Sequence, residues 1–207
     1  MANVNAPKGF VPIRHLNGSP WNGQTRAFLI PSTDATAVFV GDLVKIAGSA
    51  GTAGTVVNGL DCEGMPTCAL ATASTTGQDL IGAVVGFLPD PTSLQTKHRL
   101  ASTNRIALVV ADYDVVYEAQ EDAVTSNLAA ADVGLNIPYS TTAGNATTGV
   151  SKMELISNSK ATTATLPLKI LGLVKRPDNA FGLASTDHAK FEVMLNTSVY
   201  APNVAGA

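Results

Sequence analysis

The chain has 207 residues and a mass of 21.2 kDa, which suits one domain with an arm and leaves little room for two full-sized domains. Hydrophobic residues make up 45 %, enough for a core and too many for wholesale disorder, whereas charged residues make up only 14 %. The net charge of −3, without any basic run, excludes a dedicated nucleic-acid binder, because such a protein needs clustered lysine and arginine to displace counterions from phosphates.

Residues 1–25 are predicted to form an extended N-terminal arm. Pro7, Pro12 and Pro20 interrupt this stretch, so neither a helix nor a central strand can run through it. A disordered tail would be poor in apolar side chains, so we expect this arm to lie on a surface, either its own body or a neighbouring subunit. The apolar residues that would anchor it are Phe10, Val11, Ile13, Leu16 and Trp21, the only tryptophan.

Residues 26–207 are predicted to form one β-rich body. Short apolar runs, rich in β-branched residues, recur there between glycine, proline and aspartate turn signals. In the last run the apolar residues Phe191, Val193 and Leu195 alternate with a mostly polar face. The candidate strands are residues 26–30, 37–46 with a break near Gly41 and Asp42, 54–57, 80–88, 105–111, 115–120, 152–157, 168–175 and 189–200.

One short helix is predicted near residues 126–133. Thr125 or Ser126 can cap it and Gly134 can end it. Many short strands with so little helix predict an all-β fold, mainly a β barrel or a sandwich, that carries the extended N-terminal arm and this one short helix.

Neither a membrane segment nor a secretory signal is predicted. The longest apolar run, residues 80–88, is interrupted by glycine and falls far short of the roughly 20 residues that span a bilayer. The opening residues lack the apolar stretch of a signal peptide. We therefore expect a soluble protein that is made in the cytoplasm.

The two cysteines, Cys62 and Cys68, could close a small disulfide loop, but a cytoplasmic product usually keeps its thiols reduced. No histidine or cysteine with metal-ligand spacing accompanies them. The spacing therefore predicts a plain pair of thiols in a surface loop.

No catalytic residue, cofactor or metal site is predicted. The histidines, at positions 15, 98 and 188, belong to no recognisable catalytic motif. Asp112 and Asp114 would point the same way on a strand and could do acid–base work or bind a cation, but aspartate also initiates turns, and a plain turn is the favoured interpretation. The acidic stretch of Glu118, Glu121 and Asp122 is interpreted as a solvated strand end.

Four stretches that follow one another along the chain carry a resemblance. They are residues 5–15 (NAPKGFVPIRH) with WNG at 21–23, residues 34–44 (DATAVFVGDLV), residues 82–91 (GAVVGFLPDP) and residues 168–179 (LKILGLVKRPDN). In this order they resemble the structural cement, or capsid decoration, proteins of tailed bacteriophages. The resemblance implies a β-rich accessory protein without enzymatic activity that binds the outside of an icosahedral head and cements adjacent capsomers against internal DNA pressure.

The partners that this resemblance implies are the major capsid protein and other copies of the chain, as a dimer or trimer at symmetry axes, without nucleic acid or membrane. It also implies a location on the outer capsid surface of the virion. Interface cores favour aromatic residues and arginine, and the arm and residues 168–179 are the most recognisable stretches. The predicted interface residues are Phe10, Val11, Ile13, Arg14, Leu16, Trp21, Lys175, Arg176 and Asp178.

Other interpretations stay open. Trp21 could instead cover the end of its own barrel, with residues 175–178 forming a solvated turn. The chain could be another virion surface module of β-sandwich type, such as a fibre-base or carbohydrate-binding domain, although carbohydrate modules usually present several exposed aromatics and this chain has only 1 Trp, 4 Tyr and 6 Phe. It could also be an enzyme with an unrecognised site, which the loss of an activity on replacing all three histidines would reveal.

Overall fold

Two β-units share the chain: a closed five-stranded barrel and a five-stranded sheet packed beside it. The computed structural model describes residues 3–72, 80–182 and 187–201. Strands account for 39 % of the residues and helices for 3 %, which confirms the all-β prediction. No helix in these three ranges is long or apolar enough to cross a membrane.

The barrel closes in the order β2 (Arg26–Ile30), β6 (Pro66–Leu70), β3 (Leu43–Ala50), β7 (Leu80–Phe87) and β8 (Arg105–Val109). Its pairs are antiparallel except for β2 with β6, which run parallel. A hairpin of β4 (Val56–Val57) and β5 (Leu60–Asp61) connects β3 to β6 along the chain. The barrel interior is filled by Phe28, Ile30, Val38, Val44, Cys68, Ile81, Val84, Ala107 and Val109.

The second sheet is antiparallel throughout. Its order is β1 (Val11–His15), β9 (Val115–Gln120), β12 (Lys190–Leu195), β11 (Leu168–Leu173) and β10 (Asn136–Ile137). The predicted alternation of the last strand holds, because Phe191, Val193 and Leu195 are buried while the residues between them are half-buried. These apolar side chains join residues of β3 and β7 in the largest core cluster, which therefore lies between the sheet and the barrel.

Both edges of this sheet are covered by neighbouring backbone. Beyond β1 the chain turns back on itself, where the amide of His15 donates to the Ser19 carbonyl (2.8 Å) and that of Trp21 to the Ile13 carbonyl (3.4 Å). Beyond β10, Asn136 and Ala161 exchange two backbone hydrogen bonds of 2.9 Å each. The outer strands therefore do not present an open row of backbone donors and acceptors at these positions.

The arm lies on its own body. Phe10 is 1 % exposed and packs edge-on against Tyr139, with the ring centroids 6.1 Å apart. Its amide donates to the Gly41 carbonyl at 2.8 Å. Gly41 has φ +97°, and a Cβ there would stand 2.3 Å from the Lys8 carbonyl oxygen, so this close approach requires glycine. Of the two surfaces expected to receive the arm, the chain's own body is the one observed, and contact with a neighbouring subunit stays a prediction.

Two predicted elements are wrong. The helix near residues 126–133 is a single 3₁₀ turn at Ala130–Asp132, because Thr125 has φ +65° and the amide of Leu128 donates to the buried Glu121 carboxylate at 2.6 Å instead of entering a helix. Residues 152–157 form no strand. The chain there makes isolated bridges from Leu155 to two different partners, followed by a 3₁₀ turn at Ser157–Ser159.

The remaining predicted strands differ mainly at their ends. Residues 26–30 and 115–120 match β2 and β9 in full. In the run predicted at 37–46 the break expected near Gly41 and Asp42 is confirmed, and a strand forms only after it, from Leu43, with isolated bridges before it. The sequence did not predict β1, β5, β6 or β10.

The cysteines are buried, not in a surface loop. Cys68 lies in the barrel interior, Cys62 packs against Leu29 and Ile106 outside it, and both thiols are free. Burial raises the pKa of Cys68 to about 12. Because the inward positions of β6 face the apolar interior, this thiol behaves as a small core residue.

Candidate protein interface

The predicted interface residues divide into a buried anchor and an exposed rim. Phe10 is buried in the core, and Ile13, Arg14 and Trp21 are half-buried. The rest are exposed: Val11 (39 %), Leu16 (51 %), Lys175, Arg176 and Asp178.

An apolar cleft of about 310 Å³ separates the arm from the barrel. The residues that line it include Val11 and Trp21 of the arm together with Val40, Val85 and Val150. Strand β1 positions Val11 at the rim, while the backward turn after β1 brings Trp21 beside it. The arrangement offers a concave apolar surface of the kind that receives a side chain of another protein.

Trp21 packs against the main core of its own chain, as the alternative interpretation expects. Its indole nitrogen is buried and has no hydrogen-bond acceptor among the described residues. An unsatisfied buried donor costs about 1–3 kcal/mol, so this tryptophan is not optimal for the stability of the isolated chain.

An array of four charged side chains lies on the outer face of the sheet. Glu118 of β9 and Glu192 of β12 stand directly opposite each other, which would be repulsive without compensation. Arg14 of β1 reaches across β9 to bond Glu192 at 2.6 Å, and Arg176, which follows β11, reaches across β12 to bond both oxygens of Glu118 at 3.0 and 2.7 Å. Each carboxylate is thereby neutralised by its own arginine.

The structure therefore brings Arg14 and Arg176 onto the same face of one sheet. Arg176 also approaches Asp178, with Nε 3.8 Å from Oδ1, but the Asp178 side chain is 76 % exposed. Beside this array an open hollow of about 480 Å³ is lined by Leu173, Lys175, Arg176 and Phe181 among others. The charge-assisted bond expected for Arg176 is thus made within the chain, and its half-exposed guanidinium remains accessible at the surface.

Glu118 and Glu192 were missed as site residues, because their role depends on which strands are neighbours. The sequence predicts that Glu118 and Glu121 belong to one solvated strand end, and this is wrong for Glu121, which is fully buried. Glu121 accepts hydrogen bonds from the amides of Leu128 (2.6 Å) and Ala189 (3.2 Å), and burial raises its pKa to about 7. Strand β9 ends at Gln120, so Glu121 lies beyond the strand and its burial is set by the loop contacts of its carboxylate.

The histidines lie in three separate surroundings. His98 stacks on Phe39, with ring centroids 4.6 Å apart, and burial together with the charge of Arg105 lowers its pKa. His188 approaches the Glu121 carbonyl at 3.2 Å, and His15 bonds Asp114 at 2.9 Å.

Comparison of the chain with models of known families, with curated proteins and with solved structures finds no match.

Proposed function

We propose that this chain is a structural virion protein that binds the outside of an icosahedral phage head and cements adjacent capsomers of the major capsid protein against internal DNA pressure. Its role is mechanical rather than catalytic. The partners are the major capsid protein and further copies of the chain at a symmetry axis.

One observation carries the proposal: three of the four stretches that resemble cement proteins meet at the apolar cleft. The cleft is lined by Val11 from the first stretch, by Trp21 from the adjoining WNG, by Val40 from the second and by Val85 from the third. Backbone hydrogen bonds join the same stretches, from Phe10 to Gly41 and from Gly41 to Val84, at 2.8 and 2.7 Å. Residues far apart in sequence therefore build one surface feature.

The fourth stretch, residues 168–179, lies in the same sheet as the arm. It contains β11 and continues to Arg176, whose side chain joins the charge array that starts at Arg14. In the proposed complex the cleft receives an apolar side chain of the capsid protein. The charge array beside it sets the orientation, because complementary charges favour one docking geometry over others.

Cementing needs no chemistry. A head filled with packed DNA is under internal pressure that pulls its capsomers apart at their seams. A protein that binds only the assembled shell stabilises it by mass action, and buried apolar surface contributes roughly 25 cal/mol per Å². Repetition of one modest contact over a symmetric lattice adds avidity.

Co-sedimentation with empty heads assembled from the major capsid protein that accompanies this chain tests the proposal. We expect saturable binding at a fixed number of copies per capsomer, and heads that survive higher temperature when the protein is bound. Failure to bind such heads, or binding to glycans in their place, would contradict the proposal, and the second result would favour the carbohydrate-binding alternative.

A matched set of variants locates the contact. Trp21→Ala, Arg176→Ala and Leu16→Ala should each release the protein from heated heads at a lower temperature than the unchanged chain. Leu94→Ala is the control, since Leu94 is a 76 % exposed leucine that does not line the cleft. Equal retention of all four variants would show that the arm and the array are not the docking surface.

A further inference from the structure

Three side chains with metal-ligating atoms meet at the end of β1. His15 is the last residue of that strand, and Asp112 and Asp114 lie in the turn between β8 and β9. The His15 Nδ1 atom is 2.9 Å from Asp114 Oδ1 and 4.0 Å from Asp112 Oδ2, and the three ligand atoms all lie within 4.8 Å of one another. The pairing of β1 with β9, in which His15 stands opposite Val115, brings residues almost a hundred positions apart to this point.

These separations are close to those of a single tetrahedral ion site but differ from them by about 0.5 Å. Two ligand atoms held at about 2.1 Å from a tetrahedral ion lie about 3.4 Å apart. The distance of 2.9 Å from His15 to Asp114 is shorter than this value, and the distance of 4.0 Å from His15 to Asp112 is longer. Binding of an ion therefore requires small shifts of both carboxylates, and rotation of the half-exposed Asp112 side chain can bring its oxygen closer.

The composition of the cluster selects a class of ion. An imidazole nitrogen with two carboxylate oxygens suits zinc and its neighbours in the first transition row, whereas magnesium and calcium favour oxygen ligands alone. With a neutral imidazole the two carboxylates carry two negative charges, which a divalent cation neutralises. Two neighbouring arginines have other partners: Arg14, next to His15 in sequence, bonds Glu192, and Arg26, which lines a hollow together with Asp112, lies over the Phe28 and Tyr200 rings at 5.9 and 5.2 Å.

The three side chains differ in their exposure to solvent: one is nearly buried and two can be reached by water, as an ion site requires. The His15 side chain is 13 % exposed, so its position is held by the surrounding protein, while the Asp114 and Asp112 side chains are 32 % and 49 % exposed. The amide of Leu16 donates to the Asp114 carbonyl at 2.8 Å, which fixes the turn against the strand. Solvent can reach the open side and complete the coordination with water.

We propose that His15 Nδ1, Asp112 Oδ2 and Asp114 Oδ1 form a binding site for one divalent transition-metal ion of the zinc type. The ion takes the place of the proton between His15 and Asp114 and links the end of β1 to the turn before β9. It therefore fastens the arm to the sheet at the end opposite the Phe10 anchor. This site is independent of whether the chain binds a capsid.

Isothermal titration of the full chain with zinc chloride, after removal of metal by a chelator and dialysis, tests the site. We expect one zinc ion per chain, with cobalt chloride giving the visible absorption of a nitrogen- and oxygen-ligated ion, and much weaker binding of magnesium and calcium. His15→Gln and Asp112→Asn should each weaken zinc binding by about tenfold or more. Asp178→Asn, which removes an exposed carboxylate elsewhere, should leave it unchanged.

A second readout follows from linkage. Zinc should raise the melting temperature of the unchanged chain and of Asp178→Asn, but not that of His15→Gln, because an ion stabilises only the state that binds it. Circular dichroism checks that each variant is folded, and Asp112→Asn, at a half-exposed position, serves as the ligand variant if His15→Gln unfolds. Absence of zinc binding, or binding that survives both ligand substitutions, would overturn the proposal and leave these residues as an ion-paired turn.

Discussion

Replacing Phe10 with alanine removes the apolar anchor that joins the arm to the main core. The side chain is 1 % exposed and lies among core residues contributed by both the sheet and the barrel. Truncation of a buried phenylalanine to alanine costs about 3–5 kcal/mol, through lost transfer energy and the cavity left behind. The edge-on contact with the Tyr139 ring is lost as well, which places the expected effect in the upper half of that range.

Urea unfolding followed by the fluorescence of Trp21, the only tryptophan, measures this loss directly. Far-ultraviolet circular dichroism provides a second probe of the same transition. Val11→Ala is the matched control, because Val11 is the next residue along the chain but is 39 % exposed, and its truncation should cost less than about 1 kcal/mol.

A Phe10→Ala variant that loses no more free energy of unfolding than Val11→Ala would refute the reasoning. Such a result would mean that the arm is not part of the cooperative core. The same logic applies to deletion of residues 1–25, which removes strand β1 together with Phe10 and should therefore destabilise the body more than Phe10→Ala does.

Three further results are expected. Trp21→Phe should leave the free energy of unfolding unchanged or raise it, because it removes a buried donor without an acceptor, whereas Trp21→Ala should lower that free energy. A loss of stability in both variants would show that the indole nitrogen is satisfied. Gly41→Ala should lower the melting temperature more than Gly23→Ala, because both have positive φ but only a Cβ at Gly41 meets backbone, at 2.3 Å; equal losses would show that the arm can shift freely. The free energy of unfolding should fall as pH rises from about 4.5 to about 7, because the folded state binds the Glu121 proton more tightly than the unfolded state does. Urea midpoints across this range measure the slope, and an equally steep profile for Glu121→Gln would contradict the assignment.

The strands that the sequence predicts well are those whose neighbours on both sides are other strands over most of their length. β12 alternates over six residues and β9 is apolar over most of its length, and both lie inside a sheet, so their local pattern and their tertiary surroundings agree. The alternation is clear in β12. Residues 152–157 show the same alternation, and Met153 and Leu155 are indeed buried. Their backbone, however, bonds to several different segments, a property that no local pattern contains.

The short strands β5 and β10 consist of two residues each, which is too few for any periodicity to be detected. The predicted helix failed for a different reason. The amide of Leu128 donates to the Glu121 carboxylate instead of to a helical carbonyl. Glu121 is buried because the loop folds back towards β12, where its carboxylate also accepts a hydrogen bond from the amide of Ala189. Capping residues in the local sequence do not reveal that tertiary contacts place the Glu121 carboxylate beside these amides.

The candidate interface was predictable in part. Composition points to Trp21, the only tryptophan, whereas Arg176 is predicted from the stretch 168–179 that carries the resemblance. Their carboxylate and apolar neighbours depend on strand register, so Glu118 and Glu192 could not be assigned to the array before the order of the sheet was known. The convergence of Asp112 and Asp114 with His15 likewise requires the pairing of β1 with β9.

The covered edges of the second sheet have a consequence for how copies of this chain can crowd together. An uncovered outer strand would let one molecule extend the sheet of the next, and at high local concentration that process leads to fibres. Here the return of the chain at Ser19 and Trp21 occupies one margin, and Ala161 occupies the other, while closure of the barrel removes its margins altogether. Association through the barrel and this sheet must then proceed through side chains, whose shape and charge permit only particular geometries. Dense, ordered coverage of a surface is possible for such a molecule without runaway polymerisation.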